Sequence, residues 1–105
     1  MMPSLRERKR YLVFELISRK NCSFKEASEL VLGSCHYLIG SLGMSRAGVL
    51  MLQNCYKDNV GVVKVHPSFV DDVKSALALI RHDDVVARSR GLSGILNKAQ
   101  KRFAG

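Results

Sequence analysis

Apolar and polar positions alternate over residues 10–17, so that Leu12, Phe14 and Leu16 share one face of a strand and Tyr11, Val13 and Glu15 the other. The stretch is too short for an ordinary helix and is rich in β-branched and aromatic residues. One face is wholly apolar and the other mixed, which suits a central strand with helices on one side. A polar turn at 18–22 leads to Ser23-Phe24-Lys25-Glu26, the form of a capping box. Phe24, Ala27, Val31, Cys35, Leu38 and Leu42 then recur at helical spacing, which predicts a helix ending near Gly43. Gly33 and Gly40 inside it each weaken it by about 1 kcal/mol relative to Ala.

Met44 to Ala47 reads as a linker and Val49 to Tyr56 as a second strand. Lys57-Asp58-Asn59 is turn chemistry, with Asn59 suited to a left-handed conformation. Val60 to His66 is a third strand, paired with the second as a hairpin. After Pro67, Ser68 and Asp71 form a variant capping box for a helix with Phe69, Val73, Ala76, Leu77 and Ile80 on one face. Asp71 and Asp72 in its first turn and Arg81 in its last suit the macrodipole. His82-Asp83-Asp84 is a turn and Val85 to Arg90 a fourth strand. Ser93-Gly94 starts a last helix, in which Ile95, Leu96, Ala99 and Phe103 form an apolar stripe.

Each strand–helix–strand unit needs a right-handed crossover, and each crossover leaves a gap for a strand of the other unit. The expected architecture is an α+β sandwich of ferredoxin-like, split βαβ type, similar in topology to the RNA-recognition module. Its four-stranded antiparallel sheet has the order four-one-three-two, with two helices on one face and a C-terminal basic helix in addition. At 105 residues the chain is one domain: a basic arm at 1–10, a core at 11–92 and the basic helix at 93–105.

Charge sharpens this picture. The net charge is +8, and all of the excess sits at the two ends. Arg6, Arg8, Lys9 and Arg10 crowd the start, broken only by Glu7, while Arg88, Arg90, Lys98, Lys101 and Arg102 close the chain without an acid. The segment between is balanced. A neutral core with basic ends points to a polyanion partner. In strand order four-one-three-two the first strand begins beside the end of the fourth, so these nine residues are expected at one edge, in contact with a nucleic-acid backbone. If exposed, the N–H groups after Ser93 would add a phosphate-binding helix end, though capping by Ser93 is the simpler alternative.

Catalytic chemistry is not legible. His36, His66 and His82 are scattered, with no metal-ligand spacing to a Cys or an acid. Cys22, Cys35 and Cys55 are odd in number and unpaired in spacing, which fits reduced thiols in a cytoplasmic setting. Gly91-Leu92-Ser93-Gly94 is one residue short of a nucleophile elbow. Base stacking is disfavoured too, because the third strand has no aromatic residue and the first offers only Tyr11 outward. A face carrying Val13, Val62 and Met51 suits cover by the last helix or by another protein. No apolar run reaches the roughly 18 residues of a membrane span, and the N-terminus lacks the apolar core of a signal peptide.

Residues 10–16 (Arg-Tyr-Leu-Val-Phe-Glu-Leu), Ser23-Phe24-Lys25-Glu26-Ala27, Ala76-Leu77-Ala78-Leu79-Ile80 and Leu92-Ser93-Gly94-Ile95 before a basic helix resemble the ribonuclease P protein component 2 family, the archaeal counterpart of the eukaryotic Pop-five subunit. The resemblance covers nearly the whole chain, although that family's last motif usually runs Ser-Gly-Thr-Ile. It implies a non-catalytic subunit of the ribonucleoprotein that removes the 5′ leader from precursor tRNA. It further implies catalysis by the RNA with magnesium ions, no cofactor on the protein, and pairing with ribonuclease P protein component 3. Self-association within a heterotetramer and indirect contact with precursor tRNA belong to the same implication, and a membrane does not. The rival reading is a ferredoxin-like protein-interaction module whose basic ends only aid solubility.

Overall fold

The computed structural model describes residues 9–82 and 84–94. Strand β1 (Arg10–Ile17) leads into helix α1 (Phe24–Ala47), followed by β2 (Leu50–Met51), β3 (Val60–Val65), helix α2 (Val70–Ala78), β4 (Arg81–His82) and β5 (Val85–Ser93). The sheet order is β2-β3-β1-β5-β4, and the pairings are all antiparallel. β1 is therefore central, as its alternation predicts. The edge strand β4 is an addition: His82 was expected in a turn, yet it pairs with Val85 while Arg81 pairs with Val86.

Leu12, Phe14 and Leu16 of β1 meet Ala27, Val31 and Cys35 of α1 and Val73, Ala76 and Leu77 of α2 in the main core. The opposite face buries Val13 and Val62, against which Tyr11, Leu52, Cys55 and Val60 pack. Met51 was placed on that face and belongs to the other: it pairs with Val63, and both lie in the main core. The expected strand at 49–56 is cut short after Met51 by a 3-10 turn at Gln53–Cys55. The turn brings Tyr56 back over the sheet, where its hydroxyl donates to the Cys22 carbonyl at 2.6 Å.

α1 opens as its sequence predicts. Ser23 Oγ accepts from Glu26 N–H at 3.1 Å, and Ser23 N–H donates to Glu26 Oε1 at 3.0 Å. Lys20 Nζ reaches the other carboxylate oxygen of Glu26 at 2.8 Å. Farther along, the buried positions step by four, Ala27-Val31-Cys35, with the half-buried Ile39 next, which leaves Leu38 one position off the stripe and 41% exposed. Gly40 (φ 73°, ψ 173°) then breaks the helix, and Leu42 is 67% exposed beyond the kink. Met44 to Ala47, expected as linker, is a further helical turn closed by Gly48 in the left-handed region, whose N–H donates to Met44 O at 3.1 Å.

The Ser68–Asp71 capping box does not form. His66 caps instead, its Nδ1 accepting from Ser68 N–H at 3.2 Å across a 3-10 turn at Pro67–Phe69. Because α2 ends at Ala78, Arg81 leaves the helix for β4. β5 runs on through Ser93, where the last helix was expected to start. The rest of the expected last helix, with Lys98, Lys101 and Arg102, lies outside the described residues, as do Arg6 and Arg8.

The Lys20 hydrogen bond, the Ser23 backbone bond and the Lys20 charge together hold the Glu26 carboxyl at about 2. A depressed carboxyl contributes stability that is present above its unfolded value, near 4.5, and is lost as pH falls through about 2. In an NMR titration Glu26 is expected to protonate well below the usual carboxylate range. Lys20→Ala should move its midpoint back toward the usual range, and an unmoved midpoint would assign the effect to the cap alone.

Candidate nucleic-acid interface

The chain enters the fold and leaves its described part at one end of the sheet. Tyr11 pairs with Ser93, Arg10 pairs with Val65, and the Arg10 guanidinium lies 3.1 Å from where a β-carbon on Gly94 would stand. Lys9 sits at the same end, with Nζ 3.4 Å from the corresponding point on Gly48, where its charge faces the carbonyl end of α1. The structure thus brings Lys9 and Arg10 together with the end of β5. Across the outward face, Leu50, Lys64, Tyr11 and Ser93 form one row.

Arg88 lies elsewhere. It pairs with Glu15 near the far end of β1 and donates from Nε to Glu15 Oε1 at 3.0 Å. Arg90 is the extra residue of a bulge: Gly91 pairs with Val13 and Ser89 with Phe14, and Arg90 between them is exposed and without a strand partner.

The layers of the sandwich differ in charge. The helices carry Lys25, Arg46 and Lys74 against Glu26, Glu29, Asp71 and Asp72. The strands carry Arg10, Lys64, Arg81, Arg88 and Arg90 against Glu15 alone, which is already engaged by Arg88. Lys64 and Arg81 are cations that end-weighted charge counting overlooks. Alternation marks the outward face of β3 for Lys64, while nothing local marks Arg81.

Among the described residues no three His, Cys, Asp or Glu side chains are grouped to hold a metal ion. His36 Nε2 is 2.9 Å from Ser41 Oγ, and His66 is a cap. Burial pushes the Cys35 thiol up to about 11 and raises Cys55, so both stay protonated at neutral pH. Burial, with smaller contributions from Cys22 and Glu26, pushes Tyr56 up to about 12. A cleft of about 710 Å³ between the start of α1 and the β4–β5 hairpin mixes Arg19, Lys20 and Arg81 with Glu26, Glu29 and Asp84. No helix among the described residues is long and apolar enough to cross a membrane.

The family model described as Rpp14/Pop5 family matches residues 10–104, which include the whole sheet and both helices. The chain belongs to the Rpp14/Pop5 family. Among curated relatives of this Rpp14/Pop5 protein, ribonuclease P protein component 2 of Methanocaldococcus jannaschii is 31% identical, over 98% of this chain and 78% of its own length. The proteins of the same name from Methanosarcina mazei and Pyrococcus furiosus are 27% and 26% identical, covering 98% and 96% of this chain and 90% and 87% of theirs. A chain in the cryo-EM structure of yeast ribonuclease MRP shares the Rpp14/Pop5 protein's fold, with a TM-score of 0.69 at 13% identity over 90% of this chain and 79% of that one.

Proposed function

We propose that this protein is a non-catalytic subunit of ribonuclease P, in which a catalytic RNA, acting with magnesium ions, removes the 5′ leader from precursor tRNA. The observation that carries the reading is the family match over residues 10–104, on a fold whose strand layer is cationic. In this reading Arg6, Arg8, Lys9, Arg10, Arg88, Arg90, Lys98, Lys101 and Arg102 contact RNA backbone. The protein partner is ribonuclease P protein component 3, in an assembly that can hold two copies of each protein. Its surface is taken to be the uncharged stretch from Leu30 to Ser45, where Tyr37 is 84% exposed beside Leu38 and Leu42.

Two measurements test this. The isolated chain is expected to leave precursor tRNA intact at any magnesium concentration, and cleavage abolished by a point substitution in the chain would overturn the non-catalytic role. Binding to a ribonuclease P RNA transcript is expected to weaken steeply with salt, each neutralised phosphate adding roughly 0.7 to 0.9 to the slope. Replacing Lys98, Lys101 and Arg102 together by alanine should flatten the slope by about two units. A flat response in the unaltered protein would favour a protein-interaction module without RNA function.

A further inference from the structure

We infer that Arg81 and Arg88 form a second phosphate-binding point on the outward sheet face, separate from the one at the chain ends, with Glu15 as its positioning residue. The inference rests on the RNA-binding reading above and divides its contact surface in two.

Register places the residues. Val85 and Ala87 point into the main core, so Val86 and Arg88 take the outward side of β5, and Arg81 shares that side through its pairing with Val86. Ile17 also pairs with Val86, and these two apolar side chains are 49% and 43% exposed beside the arginines. An arginine pair beside apolar surface suits a phosphate with its ribose laid against the strand. Glu15, level with Arg88, is five positions along β1 from Arg10, a separation of about 17 Å at ~3.3 Å per residue. One phosphate cannot span both points.

Glu15 gives Arg88 a fixed geometry. Its carboxylate engages only Nε, at 3.0 Å, so the terminal Nη groups keep their donors for a ligand, and the side chain is 65% exposed. Arg81 is exposed and has no ion pair among the described residues. Arg81 also borders the cleft that Glu29 and Asp84 line, and neither acid is hydrogen-bonded or ion-paired to Arg81 or Arg88. The cost of bringing the two guanidinium groups close is relieved by an anion between them.

The test uses the full chain and a ribonuclease P RNA transcript, with affinity measured against salt and contacts mapped by hydroxyl-radical footprinting. R81A/R88A is expected to flatten the slope by about 1.5 units and to lose one protected tract while another persists. R81A alone, which leaves the Glu15 pair intact, should give about half that change. K25A/K74A removes the same charge from the helix layer and should change neither the slope nor the footprint. E15Q should bind several-fold more weakly with the slope preserved, since it loosens Arg88 without removing a cation. An R81A/R88A protein with unaltered slope and footprint would overturn the second point and leave the chain-end contacts standing. Tighter binding by E15Q would overturn the positioning role. Salt-independent binding by the unaltered protein would overturn the RNA reading itself, and this inference with it.

Discussion

Asn59→Ala is expected to lower the unfolding free energy by about 3 kcal/mol, read from urea unfolding as a fall in midpoint at constant slope. Asn59 is 8% exposed and occupies the left-handed region, with φ 65°. Its Oδ1 accepts from Cys22 N–H at 2.7 Å and its Nδ2 donates to Lys20 O at 2.9 Å, while its own carbonyl accepts from Leu16 N–H at 2.7 Å. One side chain thus joins the β2–β3 hairpin to the loop between β1 and α1. Alanine strips two partners from backbone groups beneath the start of α1, each worth ~1–3 kcal/mol when left buried. It also keeps a β-carbon in an unfavourable backbone region. Asn59→Gly relieves only that second cost, so it should recover about 1 kcal/mol of the loss and no more. A loss under about 1 kcal/mol for alanine would show that water replaces the missing bonds.

Gly61→Ala is expected to cost about 2 kcal/mol, through overpacking and not through backbone freedom. A β-carbon there would stand 2.8 Å from Phe14 Cζ and 2.9 Å from Tyr56 Cδ1. Both are rigid rings, and Phe14 is fully buried, so neither can swing aside as a flexible chain would. Shortening the obstacle should rescue the change. In a double-mutant cycle G61A with F14L is expected to cost less than the sum of the single effects. Strict additivity would place the strain elsewhere.

These two sites show which features a sequence reveals. The turn at Lys57-Asp58-Asn59 and the left-handed Asn59 were legible because few residue types tolerate that backbone. The bonds that Asn59 makes were not, since its partners Lys20 and Cys22 are set by packing and not by spacing. The capping box at Ser23 and the inward face of β1 were legible because both are local and periodic. The edge strand β4 was not: two residues carry no period, and Arg81 read equally well as the end of α2. Leu38 was misplaced because a step of three from Cys35 fits a helix about as well as the step of four to Ile39. At the candidate interface, topology alone put Arg10 beside the end of β5. Arg88 escaped that argument because β5 spans the full length of β1, so residues at its two ends lie at opposite ends of the sheet.

The central place of β1 also shapes how the chain acquires its structure. One neighbour of the strand, β3, is some fifty residues downstream and the other, β5, is the last element described, with Tyr11 facing Ser93. Contacts of such sequence separation slow folding, because long loops must close before they are rewarded. During synthesis the apolar face of Leu12, Phe14 and Leu16 is made before either of its strand neighbours and waits for the later of them, β5. In the interval β1 is an unprotected edge, open to pairing with other nascent chains. The basic residues at its start, Arg8, Lys9 and Arg10, act as gatekeepers over that interval: their mutual repulsion opposes the side-by-side association of two unfinished copies.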